Sequence, residues 1–130
     1  MPVLDASCAI EVAVDRGRRV RVLAALRDER PDAPEIIHLE TLQTLRALVR
    51  DGKVSLTHAP GALRKLGGMR IRSHRHGPLR SRVWDLRDRC SAYDAAYVAL
   101  AERLDTRLVT ADGRLARGVG DLVRVVVIDC

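Results

Sequence analysis

The apolar residues of this chain follow two interleaved patterns, and that interleaving is what most limits its fold. Short runs of leucine and β-branched residues stand at Val3-Leu4, Arg107-Leu108-Val109-Thr110 and Val125-Val126-Val127-Ile128. Longer stretches between them repeat apolar residues at helical spacing. Brief strands alternating with helices predict an α/β domain: three layers, with a central parallel sheet flanked by helices. The Val125–Ile128 run shows no alternation, as expected of a strand covered on both faces. At 130 residues the chain has the length of one domain, 1–130, and no repeat or linker divides it.

The helical stretches can be placed from the same spacing. Ile10, Val12 and Val14 belong to a first helix, and Val20, Val22, Leu23 and Leu26 to a second. Pro31 and Pro34 exclude a helix across the next stretch, and Ile36-Ile37 reads as a brief strand. Leu42, Leu45, Leu48 and Val49 mark a helix from about 39 to 51, stopped by Gly52. A short helix covers 59–66. Met69-Arg70-Ile71-Arg72 alternates like an edge strand with its arginines on one face, and Gly77-Pro78 opens a helix through Arg87. Ser91 to Leu104 is apolar almost all round, which predicts a buried helix. Ala111-Asp112 starts another.

Composition narrows the functions. The chain has no Phe, and Trp84, Tyr93 and Tyr97 are its only aromatics. Its core is therefore Leu, Val and Ala packing, with the three aromatics expected inside it, and broad stacking platforms for single strands are excluded. A hydrophobic content of 47% excludes a disordered chain. No apolar run approaches the ~20 residues of a membrane span, and the opening Met1-Pro2-Val3-Leu4-Asp5 has no signal core. Cys8, Cys90 and Cys130 are odd in number and lack CxxC spacing, which suits reduced thiols. A cytoplasmic protein is the expectation.

Lysine and arginine number 23 against 17 acids, a net charge of +6, and only Lys53 and Lys65 are lysines. From Arg64 to Arg89, nine basic residues face only Asp85 and Asp88, so this segment carries +7 and the remainder −1. Two readings stay open: a solvated arginine-rich surface, or a surface that tracks phosphates and releases them in salt. On the second, Arg70, Arg72, Arg75, Arg80 and Arg82 are candidates for the backbone of a nucleic acid. His74 and His76 flank Arg75, but with no Cys or third His nearby they do not make a metal site.

Three carboxylates stand apart from the rest. Asp5 leaves the first strand and Asp112 follows the strand ending at Thr110. In open parallel sheets ligands bind outside the carboxyl ends of the strands, so two acids from separate connections can share one crevice. Asp94 is the only charged residue from Ala92 to Ala101, and a carboxylate on a buried helix requires a cation or strong donors. Helix capping is the competing account of each: Asp5 and Asp112 precede helices, and Ser91-Ala92-Tyr93-Asp94 fits a capping box. Should the three converge, each raises its neighbours' pKa and a divalent cation offsets the repulsion. An all-oxygen donor set favours Mg²⁺ or Mn²⁺ over zinc. Glu40 lies opposite the Leu42, Leu45 and Val49 stripe, which by periodicity makes it a solvated helix residue.

Four stretches, in order along essentially the whole chain, resemble the PIN domains of VapC-type toxins. They are Val3-Leu4-Asp5-Ala6-Ser7, Pro34-Glu35-Ile36-Ile37-His38-Leu39-Glu40, Ser91-Ala92-Tyr93-Asp94-Ala95-Ala96-Tyr97-Val98-Ala99-Leu100-Ala101, and Leu108-Val109-Thr110-Ala111-Asp112. The resemblance implies a PIN-like fold and Mg²⁺-dependent (or Mn²⁺-dependent) cleavage of RNA by an acidic pocket. Asp5, Glu40, Asp94 and Asp112 would form that pocket, with Asp5, Asp94 and Asp112 on the metal. Glu40 enters on this ground alone. Ser7 and Thr110 match positions where hydroxyls orient an acid or a water. A homodimer and a cognate VapB-like antitoxin are implied as well. The pattern departs from the family at Gly113, where many members carry a further acid, which bears on whether one metal ion or two binds.

Two other classes compete with an endoribonuclease. A catalytically inactive PIN-like module would bind nucleic acid without Mg²⁺-dependent products. A receiver-like phosphoacceptor also uses strand-end acids and Mg²⁺, but needs a late lysine that neither Lys53 nor Lys65 supplies.

Overall fold

The structure is a computed structural model and describes residues 1–128. Five strands form one parallel sheet: β1 (Val3–Leu4), β2 (Asp32–Pro34), β3 (Arg72–His74), β4 (Leu108–Thr110) and β5 (Val125–Val127). Parallel neighbours need long crossovers, and helices supply them: α1 (Ala6–Val14), α2 (Arg19–Leu26), α3 (Ile37–Arg50), α4 (Ala59–Gly68), α5 (Arg80–Asp85), α6 (Ala92–Leu104) and α7 (Gly113–Val119). The spatial order is β3-β2-β1-β4-β5. The chain thus winds outward from β1 to β3, then returns to lay β4 on the other side of β1. That reversal sets the topological switch point between β1 and β4, at whose carboxyl ends open parallel sheets bind ligands.

The helices pack in groups. α1 and α2 lie together against β4, with α3 and α4 stacked on α1. α6 spans β2, β1 and β4, with α5 against it, and α7 covers β4 and β5. The main core joins Val3, Leu4, Val98, Leu100, Leu108 and Val109 with the buried ring of Tyr97. A satellite cluster of Ile10, Ala13, Leu45, Leu48 and Ala62 fastens α3 and α4 to α1. No helix among the described residues is long and apolar enough to cross a membrane.

The expected strand at Ile36-Ile37 is absent, because β2 occupies Asp32–Pro34 and Ile37 already starts α3. Pro34 ends β2, and Ile37 is instead wholly buried as a helix anchor. The edge strand expected at 69–72 lies further along, at Arg72–His74. Arg70 takes φ +55°, which cannot continue a strand, and its carbonyl accepts from Arg30 Nε at 2.6 Å. β5 is an edge strand with half-buried residues, so its apolar run does not signal two covered faces. Of the aromatics only Tyr97 is core; Trp84 is 67% exposed and Tyr93 61%. Gly52 does end α3 in the left-handed region, at φ +74°. Cys8 and Cys90 are free thiols, while Cys130 lies outside the described residues.

Candidate active site

Asp5 is the residue immediately after β1, and its backbone N–H still pairs with Val109 O of β4 at 3.2 Å. Its carboxylate is therefore carried to the carboxyl end of the sheet, yet the side chain is only 6% exposed. Both oxygens are occupied. Oδ1 accepts from Ser7 Oγ at 2.5 Å and from the Cys8 N–H at 3.1 Å, which caps α1. Oδ2 accepts from Thr110 Oγ1, on the adjacent strand. The two hydroxyls accept in turn: Ser7 Oγ from the Ala111 N–H and Thr110 Oγ1 from the Asp112 N–H, each at 3.0 Å. One network thus ties the start of α1 to the turn after β4. Burial pushes the Asp5 carboxyl up to about 6 despite those three donors, and the nearby Asp94 charge adds to the rise.

Asp94 stands in the first turn of α6. Its N–H donates to Ser91 Oγ at 3.1 Å, so Ser91 caps the helix. Burial raises the Asp94 pKa, and the charge on Asp112 raises it further; a hydrogen bond with Ser91 and the positive charge of Arg114 oppose this. Asp112 caps α7, with Oδ1 accepting from the N–H groups of Arg114 at 2.9 Å and Leu115 at 3.3 Å. Capping and convergence turn out to be compatible, since each cap uses only part of a carboxylate's acceptor capacity.

Glu40 is half-buried and belongs to the same neighbourhood. Tyr97 donates its hydroxyl to Glu40 Oε1 at 2.6 Å. Burial raises the Glu40 pKa, the Tyr97 bond lowers it, and the charge on Asp94 raises it again. The solvated position expected from periodicity is corrected by the true buried face of α3, which is Ile37, Thr41, Leu45 and Leu48. Leu42 is 47% exposed and not part of it, so Glu40 borders the core face instead of opposing it. Tyr97 is raised in its turn by burial, by the bond to Glu40, and by the charges of Glu40, Asp5 and Asp94.

Asp5, Glu40 and Asp112 are thus each coupled to Asp94 by charge, and both predicted hydroxyls bond Asp5, so the predicted residues share one neighbourhood without forming a single ligand cluster. Two neighbours went unread in the sequence. Tyr97 follows Asp94 by three positions, so it shares that helix face. Arg114 lies two residues beyond Asp112, and supplies positive charge beside Asp94. The predicted arginines fare unevenly. Arg82 forms a two-pronged ion pair with Glu102 at 2.7 and 2.9 Å. Arg72 lies 3.8 Å from the buried Asp32, whose Oδ1 also accepts from His74 Nε2 at 2.7 Å. Arg70, Arg75 and Arg80 are exposed and make no ion pair among the described residues. His76 Nε2 accepts from the Ile36 N–H at 3.1 Å, and among the described residues the His-x-His pair joins no group of three potential metal ligands.

The donor set suits a hard cation. Every candidate ligand is a carboxylate oxygen, and a divalent cation would offset both the burial that chiefly raises Asp5, Glu40 and Asp94 and the mutual repulsion that adds to it. Among the described residues no three His, Cys, Asp or Glu side chains are grouped to hold an ion by themselves. A cation here would need waters to complete its shell, a habit of Mg²⁺.

No family model matches the chain. It is similar to VapC ribonuclease Mb0985 of Mycobacterium bovis, with 35% identity over 116 residues, 89% of each chain. Ribonuclease VapC1 of Mycobacterium tuberculosis is 35% identical over 120 residues, 91% of this chain and 90% of the relative. Ribonuclease VapC12 of the same species is 33% identical over 120 residues, 92% and 93% of the two chains. The crystal structure of PAE2754 from Pyrobaculum aerophilum shares the fold, with a TM-score of 0.70 at 23% identity, over 98% of this chain and 81% of that one.

Proposed function

The chain belongs to the VapC-type PIN-domain family, and from that premise we propose that it is a Mg²⁺-dependent endoribonuclease, the toxin of a toxin–antitoxin pair. One observation carries this reading. Asp94 is coupled by charge to three carboxylates from distant parts of the sequence, Asp5, Glu40 and Asp112, and the most buried of the four, Asp5, is held by hydroxyls of two elements.

Asp5, Asp94 and Asp112 would hold Mg²⁺ or Mn²⁺, with Glu40 acting directly or through water. When bound, such a cation would polarise a phosphoryl oxygen and lower the pKa of a bound water, easing its deprotonation. The chain's own groups provide orientation and charge. Ser7 and Thr110 fix the two oxygens of Asp5, Tyr97 fixes Glu40, and Arg114 moderates the negative charge at Asp94. No histidine stands among these groups, so a metal-free acid/base mechanism lacks its usual participant. Exposed arginines of the 64–89 segment position the RNA backbone without reading bases. A VapB-like antitoxin would cover the acidic site, the protein would act in the cytoplasm, and two copies would associate as a homodimer.

Incubation of the purified protein with total RNA, with Mg²⁺ and with EDTA, tests the reading. Cleavage that requires Mg²⁺ and is lost in Asp94→Asn supports it. RNA binding without Mg²⁺-dependent products makes the protein an inactive nucleic-acid-binding module.

A further inference from the structure

Trp84 is the single tryptophan of the chain, and it lies outside the core at 67% exposure. One face of its indole is taken by Arg87, whose guanidinium carbon sits 4.7 Å from the ring centroid while Nη1 donates to the Trp84 carbonyl at 3.0 Å. That pairing holds both side chains in place. Trp84, Arg80 and Arg87 line an open groove of about 740 Å³ whose far wall is Cys90, Ser91 and Ala92. This wall is the capping segment of α6, the helix that carries Asp94, and the charge of Asp94 is felt at Cys90. The groove therefore adjoins the first turn of α6, two residues before Asp94.

Its charge is one-sided. Arg80 and Arg87 are the only ionic residues lining it, and neither has a carboxylate partner among the described residues. The neighbouring Arg82 and Arg89 are committed elsewhere, to Glu102 and Asp121. An exposed indole backed by a guanidinium, among unpaired arginines, offers a π-face and phosphate contacts together. Those are the two things an unpaired nucleotide uses when it binds without hydrogen-bond readout.

We propose that Trp84 is a stacking platform for an unpaired base of the RNA, flanking the nucleotide bound at the carboxylates, with Arg80 against the adjoining phosphate. This rests on the ribonuclease reading for the identity of the polyanion. It makes Trp84 a positioning residue with no part in the bond-breaking step.

Because Trp84 is the only tryptophan, its fluorescence reports on the groove alone. The protein in EDTA is titrated with a 2′-O-methyl RNA oligonucleotide, which cannot be cut by in-line attack of its own 2′ oxygen, and separately with inorganic polyphosphate. Binding is followed in parallel by anisotropy of an end label. The expected result is quenching of Trp84 by the oligonucleotide and not by polyphosphate. Trp84→Ala should weaken oligonucleotide binding about tenfold or more, with Trp84→Phe recovering most of the loss. Unchanged Trp84 emission at saturating oligonucleotide, or wild-type affinity in Trp84→Ala, overturns the proposal and would leave the groove to a protein partner. A protein that binds and quenches yet cuts no RNA retains the platform and loses the ribonuclease. One that cuts RNA with a KM indifferent to Trp84→Ala loses the platform and retains the ribonuclease.

Discussion

Replacing Asp5 by Asn should raise the stability of the metal-free protein while abolishing its activity. The folded chain holds this carboxyl at about 6, against an ordinary value of 3.8. Between those values the folded state keeps a proton that the unfolded state releases, so stability falls as pH rises through the window. Above pH 6 the loss is complete, and at about 1.4 kcal/mol per tenfold in protonation it amounts to about 3 kcal/mol. Asparagine removes that cost but returns some of it. Its carbonyl can accept from only one side of the cradle, and its amide must donate to a hydroxyl, at a cost of about 1–2 kcal/mol. The net expectation is a gain of about 1–2 kcal/mol at pH 7.5. The melting temperature in EDTA, followed by circular dichroism, should then rise by about 2–8 °C at pH 7.5 and fall below that of the wild type at pH 4, where the gain has gone and the cost of about 1–2 kcal/mol remains. Mg²⁺ should stabilise the wild type and leave the variant unmoved. A variant less stable than wild type by one constant margin from pH 4 to pH 8 would refute the reasoning.

Tyr97→Phe removes the donor that lowers the Glu40 pKa. It should cost about 1 kcal/mol of stability and move the acid limb of the pH–rate profile to higher pH. Arg75→Ala should raise KM for RNA, leave kcat alone and reduce the salt dependence of binding by about one charge. Arg82→Ala should change that dependence little, because Glu102 already occupies its guanidinium; urea titration should show a loss of at most about 1 kcal/mol. Gly52→Ala places a side chain at φ +74° and should lower stability by about 1 kcal/mol in the same titration.

How far the sequence could be read depended on whether a feature was local. The strands at Val3-Leu4 and Leu108–Thr110 were legible because buried parallel strands are short and apolar, and the acids following them were legible because parallel sheets bind ligands at that end. The Ser91 cap and the buried run behind Asp94 were legible for the same local reasons. Glu40 was not. Its place depends on how α3 rolls against α1, and Ile37 and Thr41, not Leu42, set that roll. Family resemblance supplied what periodicity could not. Arg70 was read as a strand residue because alternation cannot register a left-handed backbone. Residue type alone places Trp84 and Tyr93 in the core, whereas the core is aliphatic, chiefly Leu, Val, Ala and Ile, with Tyr97 as its one aromatic.

The shared cation is the claim on which the mechanism depends, and a crystal grown with Mn²⁺ tests it most directly through anomalous scattering. The account predicts a peak at the carboxyl ends of β1 and β4, within direct or one-water reach of Asp5, Asp94 and Asp112, that disappears in Asp5→Asn. Carboxylates turned into separate regions of solvent, with manganese bound elsewhere or nowhere, would contradict it.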